Sequence, residues 1–583
     1  MRTAIPSARV LCCCLAFACL KCDRTSDTSD AGVGPDDQNC GGSRCDLHAT
    51  CAIPQQGRPH CECQAGFSGD GQSCDDADEC NDGDPCGPLA QCRNTPGSFS
   101  CTCLEGYMQA ADRSCVDIDE CESGYCDALV SCHNEPGSFG CGTCPDDHWS
   151  SGMRNVVCIG KVIAGAASSY HTCVILADGS VKCWGTNLLG ELGLGDKLGR
   201  GGKPGDLGDA LPTVDLGTGR SASALSAGES HTCALLDDAE IKCWGANDLG
   251  QLGLGDKQSR GDGADELGDR LPAVSLGAGL TPSAIAAGSG HTCALLGGGR
   301  IKCWGRNESG QLGIGDRESR GDDLDEMGDA LPFVELGAGR HAVAIAAGGS
   351  ESCALLDDAS IKCWGANDAG QLGLGDTDAR GDAPGEMGDA LPSVMLGAAS
   401  HPVAIAVSAA AHACALLDEG SITCWGTNDY GQLGLGDTAR RGAGPDEEGG
   451  ALPAIALGTG RHAISIALGG GHSCALLDDA SAKCWGYNGY ANLGLGDFEH
   501  RGDQPGEMGD ALPAIELGQG RSVAALVPSR VNHTCAILDN GAIKCWGSNG
   551  LGQLGHGDMQ SRGGRPGEMG DDLPAVNLGH LVP

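Results

Sequence analysis

Short apolar runs, separated by polar and glycine-rich stretches, repeat along most of this chain with a period near sixty residues. In one unit they are Ala342–Ala347 (AVAIAA), Cys353–Leu356 (CALL), Ile361–Trp364 (IKCW) and Leu391–Leu396 (LPSVML). Runs this short, bounded by Gly, Asp, Asn or Pro, predict β-strands rather than helices. The stretch His231 to Asp256, HTCALLDDAEIKCWGANDLGQLGLGD, recurs seven times. Its tryptophan marks the units at Trp184, Trp244, Trp304, Trp364, Trp425, Trp485 and Trp546, in steps of 60, 60, 60, 61, 60 and 61. A fixed period of this size implies stacked supersecondary units.

Four strands repeated seven times predict an all-β chain whose residues 160–579 form a seven-bladed β-propeller. The run rich in Ala and Gly (Ala284–Gly288) is expected at the crowded axis and the LPxVxLG run outermost. On that order every blade is contiguous in sequence. The other order moves Leu573–Leu578 into the first blade as a clasp, and both stay open. Within each hairpin two cysteines are symmetric about the turn, as Cys173 and Cys183 are about Asp178. The three-residue loop wants a left-handed third residue. Gly179, Gly299, Gly420 and Gly541 supply it, whereas Ala239, Ala359 and Ala480 stand in its place. That register sets the cysteines opposite each other, about 4.5–5.5 Å apart at Cα, within bridging reach. The predicted bridges are Cys173–Cys183, Cys233–Cys243, Cys293–Cys303, Cys353–Cys363, Cys414–Cys424, Cys474–Cys484 and Cys535–Cys545.

Charge and cysteine content narrow the class. A formal charge of −41 argues against a nucleic-acid partner. Thirty-seven cysteines at regular spacings point to an oxidising compartment. Residues 1–18 read as a signal peptide, with Arg2 and Arg9 ahead of the apolar Val10–Ala18 and a small-x-small Ala16-Phe17-Ala18. The apolar stretch is too short to span a bilayer. Cleavage after Ala18 leaves Cys19 first, which resembles a bacterial lipoprotein, although Ala16 stands where such signals carry Leu. A lipid anchor on Cys19 and plain secretion both stay open. Residues 19–39, polar and acidic, read as a flexible linker.

Eighteen cysteines then fall into three sets of six, at 40–74, 75–115 and 116–158. Six cysteines alone allow fifteen connectivities. Their order, with CxC followed by GF or GY in the first two sets, resembles epidermal growth factor-like modules; the third set departs with Cys141-Gly142-Thr143-Cys144. The resemblance implies Cys40–Cys51, Cys45–Cys61, Cys63–Cys74, Cys80–Cys92, Cys86–Cys101, Cys103–Cys115, Cys121–Cys132, Cys126–Cys141 and Cys144–Cys158. The second and third modules also carry DADEC (76–80) with CRNTPGSF (92–99), and DIDEC (117–121) with CHNEPGSF (132–139). These are similar to the calcium-binding subclass, whose oxygen-rich ligation suits a hard cation. Carried over by position, the ligands are the side chains of Asp76, Glu79, Asn94, Asp117, Glu120 and Asn134. The carbonyls of Ala77, Thr95, Ser98, Ile118, Glu135 and Ser138 complete the two sets. Calcium is the expected cofactor.

The propeller units resemble the regulator of chromosome condensation repeat family. The nuclear guanine-nucleotide exchange role of that family's namesake is set aside, because expected disulfides, a signal segment and an acidic surface oppose it. Secreted bacterial members that bind and inhibit enzymes are nearer in setting. The resemblance implies a rigid display scaffold. The function expected is a secreted or surface-anchored, non-enzymatic binding or adhesion protein, a monomer whose calcium-stiffened stalk displays the propeller to a protein partner. The alternative is an inhibitor of an extracellular enzyme.

His171, His231, His291, His412, His472 and His533 open the second strands, with Glu351 in the remaining unit. Equivalent propeller positions lie too far apart to share an ion with nitrogen ligands at about 2 Å, so a hydrogen-bonding role is expected. Asp and Arg recur four apart in the loop after each third strand, from Asp196/Arg200 to Asp558/Arg562. Four of these arginines open RGD triplets, which the repeat itself generates. No GxSxG, HExxH or phosphate-cradling motif is present, so an enzyme is not expected. Of the six Tyr or Phe residues between 160 and 579, four fall between 430 and 498. Tyr430, Tyr487, Tyr490 and Phe498, with Arg440 and Arg441, form the expected partner-binding patch, since interfaces concentrate energy in aromatic and Arg anchors.

Overall fold

The computed structural model describes residues 39–580, apart from 56, 82, 84, 111–113, 120, 122–131, 137, 142–143, 145–147, 151–157, 397–400 and 445–451. The signal segment, nearly all of the linker and Cys19 lie outside the described residues. By compactness the chain divides into two units, 1–120 with 134–139, and 121–133 with 140–583.

Seven three-stranded antiparallel sheets form the blades. Their strands span 162–185, 222–245, 282–305, 342–365, 402–426, 463–486 and 523–547, numbered here as blades 1 to 7. The first strand of each blade is innermost: residues such as Gly165, Leu225, Ile285, Ala346, Ala406 and Ala467 line an axial cavity. The second strands, such as His171–Leu176, start two residues before the apolar run. Their opening His and Thr are buried in contacts between blades, described below.

The fourth run is not a strand. It is extended but holds one backbone bond to its own third strand, Val214 N–H to the Val181 carbonyl at 2.8 Å, and the bond recurs down to Val576 and Ile543. The reason is in its second residue. Pro212 and its counterparts lack the N–H a ladder needs. The bond from Val576 to Ile543 also decides the closure, because Leu573–Leu578 stays with its own blade and forms no clasp. The ring closes between neighbours instead. The Gly208 N–H donates to the Asn577 carbonyl at 3.0 Å, and Val162 N–H to the Gly541 carbonyl at 2.8 Å.

The core lies between blades. All seven repeat tryptophans are buried, and each indole N–H reaches a loop carbonyl of the preceding blade. Trp244 donates to Glu191 at 3.0 Å, and Trp184 closes the circle onto Gln553 at 2.9 Å. The loop glycines are fixed by this contact: a Cβ on Gly193, at φ +65°, would stand 2.8 Å from the Trp244 indole nitrogen.

Cys173 pairs directly with Cys183, as the turn arithmetic requires. All seven hairpin bridges are formed, with Cα separations of 4.0–4.1 Å. That is closer than the range expected from sequence, because these are non-hydrogen-bonded pairs, where strands approach most. The turn residue is left-handed in every case where Ala replaces Gly: Ala239 at φ 64°, Ala359 at 62° and Ala480 at 62°.

Before the propeller, the first two cysteine sets pair first to third, second to fourth and fifth to sixth. In the third set Cys121–Cys132 is formed. Cys126 lies outside the described residues, and with it the Cys126–Cys141 bridge, whereas Cys144 is disulfide-bonded. Phe67 of the first module lies over Gly97 of the second, where a Cβ would come within 2.6 Å of the ring. These modules hold little core and depend on their bridges.

Candidate functional site

Two regions bring together residues of different elements. The first is in the second cysteine-rich module. Asp76 ends a strand paired with Phe67. Its carboxylate accepts the Gly97 N–H at 2.5 Å and the Asn94 side-chain amide at 2.8 Å. Thr95 and Ser98 face each other across the hairpin turn. Glu79 Oε2 and Asn94 Oδ1 are buried without a hydrogen-bond partner. Two orphaned oxygens, one of them on the Asn94 that bonds the Asp76 carboxylate, fit a hard cation that takes oxygen ligands. In the third module the Asn134 amide likewise donates to Asp117 at 2.8 Å. Ile118, Glu135 and Ser138 lie in the described chain beside this pair, and Glu120 lies outside it. The one other candidate metal grouping among the described residues, Cys40, Cys45 and Cys61, consists of bridged cysteines.

The second region is the propeller face carrying the loops after first and third strands. Beneath it runs a belt of buried histidines. His171 Nε2 meets Thr232 Oγ1 of the next blade at 2.8 Å. The same contact joins His231 to Thr292, His291 to Ser352, His412 to Ser473 and His472 to Thr534. Each hydroxyl donates its own proton to a loop carbonyl, as Thr232 does to Glu191 at 3.2 Å. It is therefore left to accept, and the histidine is the neutral Nε2–H tautomer. Burial pushes these imidazoles down to about 3, and His472 to about 4. No metal role is needed, since the ring is spent on holding blades together.

The belt is broken once. Between blades 4 and 5, Glu351 stands in place of His and Ala413 in place of Thr, so both partners are lost. The Trp425 indole bond to the Gln371 carbonyl, 2.9 Å, and the Gly375 N–H bond to the Gly442 carbonyl, 3.0 Å, still cross this seam. Glu351 is 1 % exposed and its Oε1 has no hydrogen-bond partner. Burial raises its carboxyl to about 7.

Above the belt, the departures from the repeat converge. The two 61-residue steps come from one extra residue in the loops after the first strands of blades 5 and 7, 408–411 and 529–532. These loops flank blade 6, which carries Tyr487 and Tyr490. Together with Tyr430, Glu229 and Ser289 they line a cavity of about 400 Å³ at the mouth of the axial channel. Tyr430 and Tyr487 meet edge to face at 4.8 Å between ring centroids, and Tyr487 and Tyr490 at 6.0 Å. His500, which sequence reasoning passed over, packs on Tyr487 at 5.2 Å and on Tyr430 at 5.3 Å. Its signal was a ring where other units carry Gly, Ser, Ala or Arg. Asn492, in place of the repeat Gln, donates to the Tyr487 carbonyl at 2.6 Å.

Arg530 is the other residue missed. It sits in the extra-residue loop of blade 7 and reaches across the axis. Its guanidinium donates to the Ala287 carbonyl at 2.9 Å and the Gly348 carbonyl at 2.6 Å, in blades 3 and 4. Burial lowers it to about 10, while Glu351 and Glu229 oppose that shift.

The remaining patch residues separate from this cluster. Arg441 is committed to Asp437 at 2.7 Å and to the Ala439 carbonyl, as its counterparts are in every blade. Arg440 pairs with Asp429 at 3.4 Å on the surface. Phe498 covers Gly564, where a Cβ would lie 2.3 Å from its ring. The four RGD arginines, Arg260, Arg320, Arg380 and Arg501, hold their Asp at 2.6 Å. Half-buried pairs of this kind contribute at most about 1 kcal/mol each. Among the described residues no helix is long and apolar enough to cross a membrane.

Several known proteins are similar to this chain. The ultraviolet-B receptor UVR8 of Arabidopsis thaliana is 27 % identical over 406 residues, 69 % of this chain and 80 % of the receptor. The E3 ubiquitin-protein ligase HERC2 of Homo sapiens is 27 % identical over 380 residues, 65 % of this chain but 7 % of the ligase. Among solved structures, Prp20p of Saccharomyces cerevisiae aligns with a TM-score of 0.48 at 21 % identity, covering 63 % of this chain and 80 % of that one. Residues 98–120 match a complement Clr-like EGF-like profile, and 531–553 a regulator of chromosome condensation repeat. An RCC1-like domain profile matches residues 129–526, well over half the chain, and the protein belongs to that family.

Proposed function

We propose that this protein is a secreted or surface-anchored binding protein without catalytic activity, whose propeller engages a protein partner through the cavity lined by Tyr430, Tyr487 and Tyr490. One observation carries the reading. The inserted loop residues and the tyrosines, which break an otherwise regular repeat, converge on one cavity. A framework needs no such convergence. Fourteen bridges among the described residues support an oxidising compartment, and with it export by the residue 1–18 signal, with or without a lipid on Cys19.

Calcium belongs to the same proposal. Asp76, Glu79 and Asn94, with the carbonyls of Ala77, Thr95 and Ser98, would hold one ion, and Asp117, Glu120 and Asn134 with their turn carbonyls a second. Bound calcium supplies charge neutralisation and a fixed coordination shell that stiffens the cysteine-rich modules. The test is capture of partners from native extracellular material by the wild-type chain and by Tyr487→Ser/Tyr490→Ser. A partner retained equally by both overturns the cavity as the docking site. A secreted hydrolase that is captured and loses activity on titration favours the inhibitor over the adhesion reading.

A further inference from the structure

We infer that the cavity receives a basic segment of the partner, with an arginine or lysine side chain held among Tyr430, Tyr487 and Tyr490 beside Glu229. The inference rests on the cavity being the binding site and concerns its chemistry. Three observations point the same way.

The walls are aromatic and set at steep angles: Tyr430 and Tyr487 at 64°, Tyr487 and Tyr490 at 61°. Tyr430 and Tyr490, each about half exposed, present aromatic surface to the cavity. A ring face carries the negative end of the quadrupole and attracts a cation within about 6 Å of its centroid. The Tyr487 phenol stays neutral, since burial and the hydroxyls of Tyr490 and Tyr430 hold it above its ordinary range.

The rim is acidic. Among the residues lining the cavity Glu229 is the one carboxylate, placed at the mouth, and Arg530 the one cation. Arg530, which also lines the cavity and interacts with Glu229, offsets it only in part. That guanidinium is drawn across the axis onto the Ala287 and Gly348 carbonyls, and buried Glu351 stands behind it.

The molecule as a whole carries −41. A field of that sign repels acidic partners, raises the encounter rate of basic ones and fades with salt.

The test is calorimetry on the full chain with three probes: a capped hexa-arginine peptide, a capped hexa-glutamate peptide and an N-acetylglucosamine tetramer. The expected result is binding of hexa-arginine alone, weaker at high salt. It should fall about tenfold in Tyr490→Ser, be retained in Tyr490→Phe, and weaken again in Glu229→Gln. Both positions are exposed, so the variants keep the fold. Equal hexa-arginine affinity in wild type and Tyr490→Ser reduces the effect to bulk charge and overturns the inference, as does no binding. Tyrosine-dependent binding of the sugar or the acidic peptide overturns the basic partner while leaving the cavity as the site.

Discussion

The imidazole of His533, in the last blade, donates to Thr172 Oγ1 in the first across 2.9 Å. Thr172 passes its own proton to the Gln553 carbonyl, so one chain of hydrogen bonds joins the ends of the propeller without any shared strand. The same unit, repeated around the ring, makes the closing seam equivalent to five others. The seam between blades 4 and 5 differs.

Acid should unfold the propeller steeply. The six belt histidines sit at about 3 to 4 in the folded state, below the unfolded value of 6.5. The unfolded chain therefore binds more protons below pH 6.5, and stability is full above that value and lost as pH falls towards 4. Each histidine contributes about 1.4 kcal/mol per pH unit in that window. Glu351, raised to about 7, acts with the opposite sign and weakens the fold as pH rises from 4.5 to 7, but it is one group against six. Denaturant midpoints from pH 8 to 4 should be flat and then collapse; a midpoint unchanged at pH 4.5 contradicts neutral, buried imidazoles.

Glu351→His with Ala413→Thr should rebuild the missing link. A net hydrogen bond of this type contributes about 1 kcal/mol. Neither single variant should gain it, because each leaves one partner absent. A double-mutant cycle read by thermal unfolding measures the coupling, and additive singles would argue that the seam is open for another reason.

Replacing Ala239, Ala359 and Ala480 by Gly should stabilise the hairpins. All three are left-handed at φ 62–64°, a conformation that costs a residue with a Cβ about 1–2 kcal/mol, partly offset by the greater freedom of Gly when unfolded. A gain of up to about 1 kcal/mol per site is expected from denaturant titration. The reverse change, Gly179→Ala, should destabilise, since the new Cβ would meet Ser221 Cβ at 2.5 Å.

Peptide mapping without reduction should recover Cys233–Cys243 and its six counterparts. Each closes a loop of about ten residues, worth roughly 2.5–3 kcal/mol in the chain-entropy account. Free thiols at these positions would remove the main support for export.

Calorimetry on the whole chain should show two calcium sites. Glu79→Ala should abolish one of them, because Glu79 Oε2 is a buried acceptor with no other partner, and Glu120→Ala the other. Unchanged stoichiometry in the double variant rejects the ligand set.

The sequence by itself determined the repeat, the blade count, the hairpin register and its bridges. These depend on neighbours along the chain: a turn of fixed length sets Cys173 opposite Cys183, and a 60-residue period has few ways to bury its strands. It also marked Tyr430, Tyr487 and Tyr490 as exceptions to their own repeat. Only the tertiary structure showed that the proline-bearing fourth run forms no strand, and that Arg441 and Phe498 are occupied elsewhere. It alone placed Arg530 and His500 with the tyrosines. Glu351 and Ala413 lie 62 positions apart and look like unrelated changes until two blades are laid side by side. The physical reason is the same in each case. A propeller builds its core and its mouth between units, so contacts between units join residues about forty or more positions apart, whose pairing no local periodicity encodes.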